Sequence, residues 1–359
     1  MTGSDDLCSL RWDSSRGMAA IIDQRLLPHA LEWCHLDSLE AYCFAIREMQ
    51  VRGAPLIGVT AAFGLAHALA QDPSDENLAN ASRALLATRP TAVNLRWALE
   101  QVGSVVRDLP VTERAAVAHD KAVTVRKEDI ANCERIGNNG LEVLRGIGKS
   151  RLDIMTHCNA GWLATVQWGT ALAPIYKAHA SGIDVHVWVS ETRPRNQGTS
   201  LTAWELNEAG VPCTVVTDNS CGQLMRQGRV DCVIVGSDRT AANGDVCNKV
   251  GTYLKALAAQ ANNVPFYAAL PESTIDWTCR DGAEIPIEER DASEVLSIAG
   301  LDASGARREV NLAGAATSAL NQAFDVTPAQ HVRGLITDYG TFDASEAGLQ
   351  KMRSVIERG

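Results

Sequence analysis

The chain runs to 359 residues, 46% of them hydrophobic and 21% charged, with a formal net charge of -10 at pH 7. That is the composition of a globular protein with core enough for about two domains. The acidic balance and the lack of a long Lys/Arg run exclude a nucleic-acid footprint; an anion can be held only where a few Arg and Lys side chains gather with backbone N–H groups in one pocket.

The first residues, MTGSDDLCSL, do not pair a basic segment with an apolar one, and no run approaches the ~18 apolar residues of a membrane span, so a cytoplasmic protein with no membrane partner is expected. Leu10 to Asp23 reads as two short strands around a turn at Ser14 to Gly17. Helical spacing follows from Leu39 to Val51 and from Leu56 to Leu69, the second rich in small residues that permit close packing. Between them lies VRGAP, where Gly53 and Pro55 break the pattern. Arg52 and the backbone N–H groups of Gly53 and Ala54 then sit on a tight loop before a helix N-terminus, a geometry that suits a phosphate and equally an ordinary helix–helix turn. RPTAVNLRWAL repeats the theme, with Arg89 ahead of Pro90 at a helix start. Two more helical patterns with charged faces end near Gly146 to Ser150, where GIGKS lacks the upstream glycine of a Walker motif and reads as the turn between domains.

From Arg151 strands and helices alternate, the mark of a parallel α/β sheet. The strands are read at 152–157, 185–189, 213–217, 230–235, 266–269 and 334–337, with helices at 160–177, 201–209 and 250–261. The stretch from Glu284 to Asp325 reads as a long excursion before the last strand. In a doubly wound sheet the loops after these strands share one edge, and polar residues collect in them: His157, Cys158 and Asn159; Glu191 to Gln197; Asp218; Ser237, Asp238 and Arg239. Asp238 is then either a turn cap or an active-site acid, with Asn248 and Lys249 at the next helix entrance. Cys158 is placed at a helix N-terminus, where the macrodipole favours a thiolate. The ten cysteines include no C-x-x-C pair, so the others read as reduced, buried hydrophobes. No GxGxxG follows a strand, and HExxH and Ser-His-Asp spacings are absent.

Taken together, VRGAPLIG, RPTAVNL, MTHCNAG, ETRPRNQG, LTAWEL, GSDRTAANGDVCNKVGTY, STIDW, IPIEER and AFDVTP resemble the methylthioribose-1-phosphate isomerase family, in order and over nearly the whole chain. The resemblance implies an α/β protein: a mostly helical N-terminal domain with a small antiparallel sheet (1–148), then a Rossmann-like, doubly wound parallel-sheet domain (149–359). It implies a homodimer that needs no metal or organic cofactor, and a small sugar-phosphate substrate. Cys158 and Asp238 become the catalytic pair, with Asp238 the proton donor; Arg52, Gly53, Ala54, Arg89, Gln197, Asn248 and Lys249 become substrate contacts.

The chemistry fits these residue types. An aldose with phosphate on its anomeric oxygen cannot open its ring unaided, so an acid must protonate the ring oxygen, and a carboxyl that stays protonated at neutral pH needs an apolar surround. Hydrogen then moves from C2 to C1, either as a proton taken by a Cys158 thiolate or as a direct hydride shift whose transition state Cys158 stabilises. Asn196, Ser200, Trp162 and Gln167-Trp168 depart from the family pattern and leave 5-deoxyribose 1-phosphate or another pentose 1-phosphate as alternative substrates. A ribose 1,5-bisphosphate would need a second basic cluster, of which only Arg195 is visible. A non-catalytic, sugar-phosphate-sensing subunit is the rival from another class, because the same family includes regulatory subunits of the guanine-nucleotide exchange factor of translation initiation.

Overall fold

A turn at Ser14 to Gly17 does join two antiparallel strands, β1 (Leu10–Asp13) and β2 (Met18–Ile22), and a third strand, β3 (Trp33–Leu36), completes the sheet. These belong to a computed structural model that describes residues 7–358. Five helices follow: α1 (Leu39–Arg47), α2 (Ala54–Gln71), α3 (Asp75–Thr88), α4 (Val93–Val106) and α5 (Val111–Gly146).

α2 is the axle of this region. Added Cβ atoms at Gly58 and Gly64 would come within 2.8 Å of the Asn94 carbonyl and 3.1 Å of Tyr42 and Leu85, so its small residues do set close helix packing. By length and composition α2 could also cross a bilayer, contrary to the reading of the sequence; 78% of it is buried among the other helices, which marks it as a core element. α3 escaped notice because its apolar stripe is thin, although Ser74 caps it by accepting from Asn77 N. The expected helix start at Pro90 falls three residues later, at Val93. The two charged patterns beyond Leu99 resolve into the tail of α4 and one helix of 36 residues, α5. Its Gly137 and Gly140 are points of close contact: a Cβ at Gly140 would lie 2.8 Å from Pro174 Cβ.

The second region alternates β4 (Arg151–His157), α6 (Ala173–Ala180), β5 (Asp184–Ser190), α7 (Ala203–Glu208), β6 (Cys213–Val216), α8 (Cys221–Arg226) and β7 (Cys232–Val235). After a hairpin of β8 (Arg239–Ala241) and β9 (Val246–Lys249) come α9 (Thr252–Ala261), β10 (Phe266–Ala269) and β11 (Ile275–Asp276). α10 (Ser293–Leu296), the hairpin β12 (Ser297–Leu301) and β13 (Arg307–Asn311), β14 (Phe324–Thr327), β15 (Gly334–Thr337), β16 (Gly340–Phe342) and α11 (Glu346–Ile356) complete the chain.

β6-β5-β4-β7-β10-β15 form one parallel sheet with β16 added antiparallel at the edge. Numbered in chain order the parallel strands run 3-2-1-4-5-6, the doubly wound order whose direction reverses between β4 and β7. Both faces are covered. Ile154, Val187 and Ile234 pack with Ile136 of α5, Ile175 of α6 and Leu206 of α7, while Met155, Val233 and Val235 pack with Leu224 of α8, Ala256 of α9 and Leu349 of α11. A second sheet, β11-β8-β9-β14, stands beside the first.

Two expectations fail here. The helix drawn from Ala160 to Lys177 begins only at Ala173; before it the chain folds back on itself around a single 3₁₀ turn at Trp162–Ala164. Thr170 and Leu172 both donate to the Ala160 carbonyl, Gly169 crosses Gly161 so closely that a Cβ would lie 2.7 Å from that carbonyl, and Trp168 and Gly169 adopt φ of 70° and 81°. Asn248 and Lys249 lie on β9, not at a helix entrance, because β9 pairs on one side with β8 and on the other with β14, where Lys249 faces Phe324 and Asn248 faces Asp325.

Candidate active site

Cys158 follows β4 and Asp238 lies just past β7, the two neighbouring strands between which the sheet order reverses. At such a reversal the loops part and leave a crevice. Both residues line one cavity of about 60 Å³, and Arg52, Gly53, Ala54, Arg89, Gln197, Asn248 and Lys249 line it with them. Every site residue picked from the sequence is therefore in one place.

Cys158 is buried and held from three sides. Its backbone has φ 64°, a left-handed conformation rare outside glycine. Its N–H donates to Thr192 Oγ1 at 2.8 Å, its carbonyl accepts from Thr202 Oγ1 at 2.7 Å, and its Sγ donates to Gln197 Oε1 at 3.2 Å. Since no α-helix starts behind it, the expected macrodipole is missing. Burial pushes the thiol pKa up, and the cations of Arg52 and Lys249 offset this only in part. The resting group is a thiol.

Asp238 is partly open to the cavity, and among the described residues its carboxyl has no hydrogen-bond partner; its N–H donates to the Cys247 carbonyl at 2.9 Å. Burial raises its pKa against the pull of Lys249, Arg52 and Arg89, the direction a neutral acid requires. The three cations are placed by different means. Arg52 is buried and donates to the side-chain and backbone oxygens of Asn159. Arg89 pairs with Glu288 at 2.8 Å, while its Nε is buried without a partner. Lys249 is 8% exposed, and its Nζ lies 4.9 Å from the centre of the Phe324 ring; burial pulls its pKa down. An anion entering here would meet three cations and the leading N–H groups of α2, which have no partners within the helix. Gly53 makes that approach possible: its φ is 94°, and a Cβ would lie 2.6 Å from Ala164 Cα.

Several residues of the site had no role assigned from sequence. Glu288 sits in IPIEER and orients both Arg89 and Arg290. Asp325 of AFDVTP accepts from the N–H groups of Gly251, Thr252 and Tyr253 and so caps α9, while Phe324 beside it covers Lys249. Of the residues that depart from the family pattern, Asn196 and Ser200 line an adjoining cavity of about 380 Å³ that shares Met49, Arg52 and Gln197 with the first. Trp162 instead packs in the core, its ring 5.8 Å from that of Trp204, and Trp168 stacks with Lys177. The ten cysteines are free thiols, eight of them buried. Among the described residues no group of three His, Cys, Asp or Glu side chains is arranged to hold a metal ion.

A doubly wound sheet with a thiol and a carboxyl at its reversal point, ringed by cations, defines a pocket for a small anionic substrate with acid chemistry at hand. The chain belongs to the initiation factor 2 subunit family, whose model matches residues 50–344. A Rhodospirillum rubrum protein named methylthioribose-1-phosphate isomerase is 56% identical over 349 residues, covering 94% of this chain and 90% of that protein. The crystal structure of 5-methylthioribose 1-phosphate isomerase from Pyrococcus horikoshii matches with a TM-score of 0.84 at 36% identity, covering 98% of this chain and 97% of that one. That of translation initiation factor eIF-2B, subunit delta, from A. fulgidus matches with a TM-score of 0.80, also at 36% identity, covering 97% and 100%. The resemblance carried by the motifs thus holds at the level of the family.

Proposed function

We propose that the protein is an aldose–ketose isomerase that converts 5-methylthio-D-ribose 1-phosphate to 5-methylthio-D-ribulose 1-phosphate, a step of methionine salvage. The observation that carries this is the shared cavity: Cys158 and Asp238 face one space that also holds three cations. The relatives' names support the same reaction.

Arg52, Arg89 and Lys249 hold the phosphate with the N–H groups at Gly53 and Ala54. Asp238 gives its proton to the ring oxygen as the C1–O bond breaks. The hydrogen on C2 then moves to C1 with its electron pair, and the proton of the C2 hydroxyl leaves to restore the Asp238 carboxyl, so no net charge is created. The raised thiol pKa of Cys158 supports this hydride route, with the uncharged thiol stabilising the transition state of the shift, over proton removal by a thiolate. Binding a phosphate dianion raises both pKa values further, keeping Asp238 an acid and Cys158 uncharged. Asn196 and Ser200 in the adjoining cavity support a second reading at the level of substrate, with 5-deoxyribose or another pentose 1-phosphate accepted. We further read the chain as a cytoplasmic homodimer of two domains, 1–148 and 149–359, and sedimentation of the purified protein tests its size.

Turnover of methylthioribose, 5-deoxyribose and ribose 1-phosphates side by side tests the function. Ketose 1-phosphate formed by wild type and lost in Cys158→Ser and Asp238→Asn supports the enzyme; a wild type that binds the sugar phosphates without turning any over favours the sensing subunit.

A further inference from the structure

Behind Arg52 lies a carboxylate that the reaction does not use. Glu205, on α7, is fully buried and makes no ion pair among the described residues. Its four donors are Asn159 Nδ2 at 2.8 Å, the N–H groups of Trp162 at 2.8 Å and Leu163 at 3.0 Å, and the Tyr176 hydroxyl at 2.9 Å. Gly161 makes room for it, since a Cβ there would lie 2.6 Å from the carboxylate carbon. A carboxylate taken out of water without a cation is costly even when hydrogen-bonded.

The Asn159 amide suggests why a charge is kept. An amide has two N–H donors on one atom and a carbonyl on the other. Asn159 Nδ2 donates to Glu205 and also to Thr202 Oγ1 at 3.1 Å, so Asn159 Oδ1 must point the other way, where Arg52 Nη1 donates to it. Arg52 Nη2 donates to the Asn159 backbone carbonyl at 2.6 Å. One edge of the guanidinium is thereby fixed by two oxygens of a single neutral residue. Arg52 itself has no carboxylate partner among the described residues, unlike Arg89 with Glu288.

We propose that Glu205 and Asn159 are positioning residues for Arg52: the carboxylate sets the amide, the amide sets the guanidinium, and the cation's charge stays free for the phosphate. A carboxylate touching Arg52 would hold it equally well but would compete with the anion. The relay rests on reading Arg52 as a phosphate ligand.

The test is a double-mutant cycle on the full-length protein, read by calorimetric binding of inorganic phosphate and by the KM and kcat of the sugar phosphate. Glu205→Gln replaces one of two acceptor oxygens by an NH2 group and removes the charge, which among four donors loosens the hold on the Asn159 amide. Expected is phosphate binding weakened about tenfold in Glu205→Gln and in Arg52→Ala, with the double variant no weaker than Arg52→Ala alone. KM should rise by a similar factor in Glu205→Gln while kcat stays within about threefold. Losses that multiply in the double variant, unchanged binding in Glu205→Gln, or a wild type that does not bind phosphate would overturn the relay. If Glu205→Gln does not fold, Asn159→Ala takes its place in the same cycle with the same outcomes. A wild type that binds phosphate with the coupling intact but turns over no sugar phosphate sinks the isomerase reading and leaves the relay standing.

Discussion

The two walls of the cavity are built on different principles. On the wall behind β4 and β5, the hydrogen-bonding groups of Cys158 are saturated: N–H to Thr192, carbonyl from Thr202, thiol to Gln197. The facing wall, from the β8–β9 hairpin with Asp238 at its foot and from Arg89 at the end of α3, is left hungry. Among the described residues the Asp238 carboxyl has no hydrogen bond, the Lys249 ammonium lies against an aromatic face, and Arg89 Nε has no partner. One wall spends its polar groups on holding a reacting atom in an unusual backbone conformation; the other keeps them unspent for a ligand. Preorganisation on one side and unmet charge on the other are what a site that binds an anion and protonates it needs.

Removing either reacting group should have the largest effect. Cys158→Ser and Asp238→Asn should each lower kcat by about 10³-fold, the range for a lost general acid or a lost transition-state stabiliser, with circular dichroism unchanged. Because burial raises the Asp238 pKa, wild-type activity should fall as pH rises through that value, the acid losing its proton. Gly53→Ala comes next. A methyl group against Ala164 at φ 94° displaces the loop that carries Arg52, and KM should rise at least about tenfold. Glu288→Gln strikes the hungry wall alone: Arg89 loses its counter-charge but remains present, so KM should change by only about threefold and kcat less. The smallest effect is behind the saturated wall, where Asp129 of α5 accepts from Val166 N at 2.7 Å. Burial lifts its pKa from 3.8 to about 7. A carboxyl raised on folding binds its proton more tightly when folded, so stability falls as pH climbs from about 4 through 7. Relative to wild type, Asp129→Asn should therefore gain about 2–3 kcal/mol between pH 5 and pH 8, the part of the shift that lies above pH 5; melting curves at the two pH values check it.

Much of the second region was legible because apolar β-branched runs such as Cys232–Val235 end in Gly236 and then turn polar, a pattern that marks both strand and crevice. Cys158 and Asp238 were found that way. The hairpin that carries Lys249 was not, since β8 has three residues and β9 four, and their pairing with β14 across a long excursion leaves no local trace. Arg89 and Glu288 stand 199 residues apart, and a pairing at that range is written in no spacing. The loop after Cys158 misled for a related reason: LATVQWGTALAP has helical composition, and only the Gly161–Gly169 crossing, a tertiary contact, breaks it. Glu205 looked like an ordinary helix-face residue in LTAWEL until its burial against Asn159 was visible.

The most direct measurement is the fate of a deuterium placed at C2 of 5-methylthioribose 1-phosphate, followed by NMR during turnover in ordinary water. Ketose carrying the label at C1, formed by wild type and absent with Asp238→Asn, is the expected result for an uncharged thiol beside a proton-donating carboxyl. Label washed out to solvent would mean that Cys158 acts as a thiolate base, and no ketose at all from the wild-type protein would contradict the reading of this cavity as a catalytic one.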